Sequence, residues 1–284
     1  MRVSANAKLN LLLHVTGKRA DGYHLLDSLV AFCAFGDSLD IHEAESLSLE
    51  ITGEFAPQLS NDENNLVLRA ARLIAKHGKK EIGARMVLHK NIPVGAGLGG
   101  GSCDAAAAIR GLQQFWQLSL THDQQLKIAQ DLGSDVMVCV EQVPAWISGV
   151  GDLVSPIRLL EDVAIILVNP KQPLLTADVY RAFAGNFSAV TEKIYTIQNT
   201  QELLGLIAPL KNDLQPAAMQ LMPKIKNMLK VLSDASGYQL ARMTGSGATC
   251  FGIFSSQKMA DEEAERIKQN HPDWWVVSTY LMRQ

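Results

Sequence analysis

Five glycines fall within the seven positions Gly95–Gly101 of this chain. The run Pro93-Val94-Gly95-Ala96-Gly97-Leu98-Gly99-Gly100-Gly101-Ser102-Cys103 passes straight into an alanine-rich stretch with helical character. Glycine lets a backbone come close to a ligand. The first turn of the next helix offers unpaired N–H groups and the positive end of the helix dipole. Together these make a cradle for phosphate. Glycines also lose the most conformational freedom on folding, which weighs against five of them clustered in a turn that binds nothing.

Three phosphate-binding patterns must be told apart. Gly95-x-Gly97-x-x-Gly100 fits the dinucleotide fingerprint, but that unit needs a second strand ending in an acid about 20 residues on, and here a second helix follows. A Walker A loop fits in register at Gly95, Gly100 and Ser102, but Gly101 stands where lysine is required. A protein kinase is excluded by the helix after the loop and by the absence of its H-R-D and D-F-G signatures. A second glycine turn, Thr244-Gly245-Ser246-Gly247-Ala248, joins two expected strands. It reads either as a plain hairpin turn or as a loop facing the same cleft.

Other residues carry chemistry less specifically. Lys8 and Asn10 stand two apart on an alternating segment, so along a strand they project side by side, roughly 6–7 Å apart. By itself that segment reads better as a solvated face. Asp135 follows Gly133-Ser134, and is equally a turn or capping aspartate and a proton acceptor. Tyr180, after Thr176 at a helix start, is equally a core aromatic and a stacking face.

The elements that must position these groups follow from periodicity. Val3, Ala5, Ala7, Leu9, Leu11, Leu13 and Val15 alternate with polar residues, the mark of a half-buried strand. Strands are expected at Leu25–Phe35, Ser38–His42, Ser46–Thr52 and Arg85–Lys90. Helices are expected at Asn64–His77, capped by Asn64 or Asn65, and near Ser102–Trp116 and Asp123–Leu132. From Val136 to Val154 the pattern reads as β. A buried strand at Val163–Val168 follows, then helices near Ala177–Phe183, Gln201–Ile207 and Pro216–Leu232. Strands at Leu240–Met243 and Cys250–Phe254, a helix at Lys258–Lys268 and a strand at Trp274–Leu281 close the chain. That order is close to the split βαβ of a ferredoxin-like domain. A division is expected near Ile157, giving residues 1–157 and 158–284.

The 284 residues are 47% hydrophobic and 19% charged, ordinary globular values that suit one large domain or two smaller ones. A formal net charge of −3 supplies no global field to attract nucleic acid or anionic lipid. The cysteines Cys33, Cys103, Cys139 and Cys250 are scattered, with no zinc-ligand spacing. The apolar run Leu9–Val15 is short, interrupted by Asn10 and His14, and lacks a cleavage pattern. No stretch approaches the ~18 apolar residues of a membrane span. A cytoplasmic protein that binds neither nucleic acid nor membrane is expected.

The glycine run resembles the phosphate-binding motif of the GHMP kinases, the small-molecule kinases that include galactokinase, homoserine kinase and mevalonate kinase. Ala7-Lys8-Leu9-Asn10 and Gly22-Tyr23-His24-Leu25-Leu26-Asp27-Ser28 resemble one branch of them. Its acceptor is a cytidine-diphosphate-linked methylerythritol of the non-mevalonate isoprenoid route. Leu132-Gly133-Ser134-Asp135-Val136, Gly149-Val150-Gly151, Asn212-Asp213-Leu214 and Gly245-Ser246-Gly247-Ala248 follow in family order and span nearly the whole chain.

The resemblance implies an α+β, two-domain fold. Its N-terminal domain would be ribosomal-protein-S5-like and its C-terminal domain ferredoxin-like, with the active site in the cleft between them. It implies ATP with Mg²⁺, transfer of the γ-phosphoryl group to the 2-hydroxyl of a substrate with a cytidine diphosphate moiety, and a monomer or weak homodimer. Pro93 to Cys103 would hold ATP. Asp135 would accept the hydroxyl proton, and Lys8 would stand between hydroxyl and phosphate. Asn10, Tyr23, His24, Thr176 and Tyr180 would hold the substrate, Tyr23 stacking on the cytosine and His24 bonding its edge. A homoserine or mevalonate kinase would have no use for Tyr23-His24, and a nucleotide-binding regulator would need neither Lys8 nor Asp135. The chain departs from the family pattern at Cys103, where serine is common, at Met137 and Cys139, where proline and phenylalanine are, and at Gln215 in place of glutamate.

Overall fold

A computed structural model of the chain describes residues 1–78 and 83–284. The elements are β1 (Arg2–Lys18), β2 (His24–His42), β3 (Leu47–Thr52), α1 (Leu66–Gly78), β4 (Ala84–His89), α2 (Gly100–Phe115), α3 (His122–Leu132), α4 (Ser134–Glu141), β5 (Ala145–Gly149), β6 (Leu153–Pro156), β7 (Arg158–Leu159) and β8 (Val163–Asn169). They continue with α5 (Thr176–Ala182), β9 (Thr196–Ile197), α6 (Thr200–Ile207), α7 (Gln215–Leu221), α8 (Lys224–Ser233), β10 (Tyr238–Met243), β11 (Cys250–Phe254), α9 (Gln257–Asn270) and β12 (Trp275–Leu281).

These residues form two compact units, neither continuous in sequence. The first comprises Met1–Ala7, Gly36–Val94 and Gly99–Gln142. In it, Ser38–His42 of β2 pairs antiparallel with β4, and β3 pairs parallel with β4. Helices α1, α3 and α4 pack on α2. The alanines Ala105–Ala108 of α2 are fully buried, as small residues at a close helix contact should be. Asn65 caps α1, its side-chain oxygen accepting from the Val67 N–H at 2.9 Å.

The second unit comprises Lys8–Phe35, Gly95–Leu98 and Val143–Gln284. Four of its strands lie in the order β10-β11-β8-β12, each antiparallel to its neighbour. With helices between β8 and β10 and between β11 and β12, this is the ferredoxin-like order expected. Its core gathers Ile166 and Val168 of β8, Met228 and Leu232 of α8, Ile267 of α9 and Val276 of β12. Leu26–Val30 of β2 pairs with β5, and β5 with β6. No helix among the described residues is long and apolar enough to cross a membrane.

The structure corrects four sequence expectations. Strand β1 is buried on both faces from Ala5 to Val15, so Lys8 and Asn10 lie inside rather than on a wet face. The strands expected at Leu25–Phe35 and Ser38–His42 are one strand, β2. At Gly36 an added Cβ would lie 2.3 Å from the Ala5 carbonyl oxygen, so glycine here permits close backbone contact instead of a break. The stretch after Ser134 opens as helix α4, not strand. Its β-branched valines suit a strand, but Val136, Cys139 and Val140 share a buried helical face, and packing overrides propensity. The helix expected over Pro216–Leu232 is two, α7 and α8, interrupted at Met222-Pro223, where proline disfavours helical backbone in the residue before it.

Candidate active site

The glycine run is shared between the units: Gly95–Leu98 belongs to the second, while Pro93, Val94 and Gly99–Cys103 belong to the first. In the second unit it interlocks with the other glycine turn. The Thr249 N–H donates to the Ala96 carbonyl at 3.1 Å, and the Lys8 N–H donates to the Leu98 carbonyl at 3.0 Å. Gly97 has φ +75°, and a Cβ there would stand 2.7 Å from the carbonyl oxygens of both Thr244 and Gly247. Only glycine meets both demands. The Thr244–Ala248 turn joins antiparallel β10 and β11, so the plain hairpin reading holds and the turn also braces the run.

That turn is fixed from several sides within the same unit. The Asn10 N–H donates to Thr244 Oγ1 at 2.8 Å, and the Thr176 and Ser246 hydroxyls lie 2.8 Å apart. Asn212 Nδ2 donates to the carbonyls of Met243 and Gly245, each at 2.8 Å. Gln215 Oε1 accepts from the Met243 N–H at 2.9 Å, a task its amide oxygen performs as a carboxylate would. Sequence reasoning gave no role to Asn212, although Asn212-Asp213-Leu214 was among the motifs it singled out.

In the first unit, α2 begins at Gly99, which is left-handed at φ 63°, ψ 22°. No side chain caps this helix, and its first turn contains no acid. The first N–H groups of the turn are therefore left without a side-chain cap, as an anion site requires. Gly101 is exposed and Ser102 half-buried. Cys103 turns inward: its Sγ lies 3.4 Å from Cys139 Sγ, and its N–H is taken by the Gly99 carbonyl at 2.8 Å. Asp135, half-buried, stands in the first turn of α4 after Gly133.

Below this turn lies a charge cluster that sequence reasoning missed. Lys90 Nζ donates to Asp104 Oδ2 at 2.8 Å and to Asp37 Oδ2, with all three side chains buried. A Cβ at Gly100 would stand 3.0 Å from Lys90 Nζ. Burial alone would lower the Lys90 pKa, but Asp104 and Asp37 outweigh it and hold the ammonium above its ordinary value. Burial pushes Asp104 up; Lys90 pulls it back, Asp37 repels, and it rests at about 7.

The expected substrate-side residues lie in the second unit. Lys8 and Asn10 are buried on β1, and Asn10 Nδ2 donates to Ser28 Oγ at 2.8 Å. Tyr23 is 68% exposed in the turn between β1 and β2. His24 stacks on Tyr180, with ring centroids 5.0 Å apart and planes at 27°, and meets Phe183 edge-on at 6.0 Å. Phe187, exposed, continues the aromatic row 6.5 Å from Phe183. Burial, aided by Lys18, holds the His24 pKa below its ordinary value, leaving a neutral ring with one donor and one acceptor nitrogen. The chain after α5 is tied to this region, with Ser188 N–H donating to the Val15 carbonyl at 2.9 Å and Thr191 N–H to Asp27 Oδ2 at 2.7 Å. Phe183 and Phe187 were not picked out from sequence. The spacing of Phe183, three residues beyond Tyr180 and so on the same helical face, was the available signal.

A glycine run at a helix start and, in the same chain, a ferredoxin-like sheet are features of a known class. Residues 65–142 match the family described as GHMP kinases N terminal domain, and residues 193–273 match GHMP kinases C terminal. The chain is 41% identical over 280 residues to a 4-diphosphocytidyl-2-C-methyl-D-erythritol kinase of Paramagnetospirillum magneticum, covering 99% of this chain and 98% of that one. It is 44% identical over 281 residues to the protein of the same name in Paracoccus denitrificans, covering 99% and 96%. Among solved structures, a 4-(cytidine 5'-diphospho)-2C-methyl-D-erythritol kinase superposes with a TM-score of 0.83 at 29% identity, covering both chains fully. A homoserine kinase from Cytophaga hutchinsonii shares the fold, with a TM-score of 0.74 at 17% identity over all of this chain and 95% of that one. The chain belongs to the GHMP kinase family, within the branch of the 4-diphosphocytidyl-2-C-methyl-D-erythritol kinases. The α+β fold expected from the sequence is the fold of that family.

Proposed function

We propose that this chain transfers the γ-phosphoryl group of ATP to the 2-hydroxyl of 4-diphosphocytidyl-2-C-methyl-D-erythritol, a step of the non-mevalonate isoprenoid route. The observation that carries the substrate choice is the aromatic row around His24. Tyr180 and Phe183 hold a neutral imidazole in place, and exposed Tyr23 and Phe187 offer flat apolar surface. A nucleobase needs stacking surface and a directional hydrogen-bonding edge. Homoserine and mevalonate need neither. The names of the full-length relatives agree with this choice.

Phosphoryl transfer depends on positioning and charge neutralisation more than on covalent help. The acceptor oxygen forms a bond to the γ-phosphorus as the bond to the β,γ-bridging oxygen breaks, and ADP leaves. Gly95–Ser102, with Pro93 and Val94 leading in and Cys103 buried behind, hold the phosphates on backbone N–H groups. Asp135 orients the acceptor hydroxyl and takes its proton. Lys8 supplies positive charge to the transferring group. Tyr23 stacks on the cytosine and His24 bonds its polar edge. Asn10, Thr176 and Tyr180 shape the substrate side, Asn10 and Thr176 through their bonds to the Thr244–Ala248 turn.

Among the described residues no cluster of three His, Cys, Asp or Glu side chains could hold a metal ion. Mg²⁺ would come with the nucleotide and would supply neutralisation of phosphate charge. We also place the family domain division at 157/158, with the enzyme working in the cytoplasm as a monomer or weak homodimer, apart from nucleic acid and membrane. The test is a coupled ADP-release assay with the cytidyl alcohol, homoserine and mevalonate. Turnover of the cytidyl compound alone is expected; turnover of mevalonate without it would refute the substrate choice.

A further inference from the structure

The Lys90–Asp37–Asp104 cluster lies under the first turn of α2 and has no part in the chemistry above. Its two carboxylates differ. Asp37 is fully satisfied: Oδ2 accepts from Lys90, and Oδ1 accepts from the N–H groups of Asn91 at 2.6 Å and Ile92 at 2.9 Å. Asp104 receives Lys90 on Oδ2, while its buried Oδ1 has no hydrogen-bond partner. A buried carboxylate oxygen without a donor is costly, and a proton on it is the cheapest remedy. With both acids ionised the cluster carries one net negative charge; with Asp104 protonated it is neutral.

Location makes that charge matter. Lys90 Nζ sits 3.0 Å from the place of a Gly100 Cβ, directly behind the turn whose N–H groups face a phosphate in the reading above. Few solvent dipoles screen a buried cluster, so its charge acts on an anion at that turn more strongly than in water. We propose that nucleotide binding at the first turn of α2 is coupled to proton uptake by the Asp104 carboxyl, so that the buried cluster is neutral whenever phosphate is bound. The coupling rests on the phosphate-turn reading given under Proposed function. By linkage, phosphate at the turn favours the protonated acid, and the protonated acid favours phosphate to the same extent. Asp104 rests at about 7, so the exchange falls near neutral pH. The charged groups bonded to or beside this carboxyl are Lys90 and Asp37, and the packed helices α1, α3 and α4 carry Arg72, His122, Asp135 and Glu141.

The test is calorimetric titration of the full chain with Mg²⁺ and β,γ-imido-ATP, in buffers of low and high ionisation enthalpy. Near pH 7 the wild-type protein should take up about half a proton per nucleotide bound. Its affinity should fall roughly twenty- to thirtyfold between about pH 6.5 and 8.5 as Asp104 ionises. Asp104→Asn is neutral at every pH. It should bind at least as tightly, with a flatter pH profile and with that uptake removed; subtracting its signal also removes the nucleotide's own titration. Equal buffer dependence in wild type and Asp104→Asn would overturn the proposal. If Asp104→Asn does not fold, the wild-type protein decides once the proton exchange of the Mg²⁺-nucleotide, titrated separately, is subtracted: binding with no remaining uptake overturns the coupling by itself. Absence of any nucleotide binding would overturn the phosphate-turn reading and the coupling with it.

Discussion

Gly97 and Gly247 approach so closely that a Cβ on the first would stand 2.7 Å from the carbonyl oxygen of the second. The two glycine turns, far apart in the chain, are thus one interlocked piece of backbone. Gly97→Ala would meet both the steric clash and the left-handed φ of +75°. Overpacking and a left-handed non-glycine residue each cost on the order of 1–3 kcal/mol. We expect a lower Tm together with a KM for ATP raised at least tenfold. Unchanged nucleotide kinetics would show that the interlock does not shape the cradle.

Gly101 offers the opposite case. It is helical and exposed, and a Cβ there would make only an ordinary contact, 3.6 Å from Leu66. Gly101→Ala should stabilise α2 by about 0.5–1 kcal/mol. It should still weaken ATP binding, because a methyl group intrudes where backbone must face phosphate. A higher Tm with a higher KM for ATP is the expected pair; a higher Tm with unchanged KM would place the phosphate away from Gly101.

Asp135→Asn keeps shape while removing the charge and the proton acceptor. A positioned general base contributes on the order of a hundred- to ten-thousandfold, so kcat should fall within that range while both substrates still bind. Lys8→Met should lower kcat and raise the KM for ATP as well, because phosphate loses a counter-charge. A near-normal kcat in Asp135→Asn would remove that residue from the mechanism.

Tyr23→Ala and Phe183→Ala probe the aromatic row. Base–aromatic stacking is worth roughly 1–3 kcal/mol, so Tyr23→Ala should raise the KM for the cytidyl substrate about ten- to hundredfold and leave the KM for ATP nearly alone. Phe183→Ala should act in the same direction through His24, whose ring it meets edge-on. Equal losses for both substrates would mean a folding role instead.

The pH dependence of that same KM tests His24. Its pKa lies below the ordinary value through burial and the nearby Lys18. The imidazole therefore stays neutral as pH falls from 8 through roughly 6.5, the unperturbed value for histidine, and gains a proton only below that. The KM for the cytidyl substrate should be flat across this interval and rise beneath it, and His24→Gln should remove the rise. A KM already climbing at about pH 7 would mean that the ring titrates like a free histidine.

Some of this protein was legible from the chain alone because the governing physics is local. Gly95–Gly101 before an alanine helix announces a phosphate cradle through backbone freedom and the helix dipole, both properties of neighbouring residues. Asn65 as a cap, the strand Val163–Asn169 and the β10–β11 hairpin follow from capping, apolar runs and turn residues in the same way. Tyr23 and His24 stood out by resemblance, where composition offered nothing. What only the tertiary structure decided is what depends on residues far apart in sequence. Strand β1 looked half-buried because its polar residues alternate, yet Asn10 is enclosed by Thr244 and Ser28. Helix α4 looked like a strand because valine favours one, and burial of its Val136–Cys139–Val140 face overrode that preference. Lys90, Asp37 and Asp104 are unremarkable as letters; only folding removes all three from water, and in that low-dielectric setting a missing hydrogen bond on Asp104 Oδ1 becomes a proton-binding site.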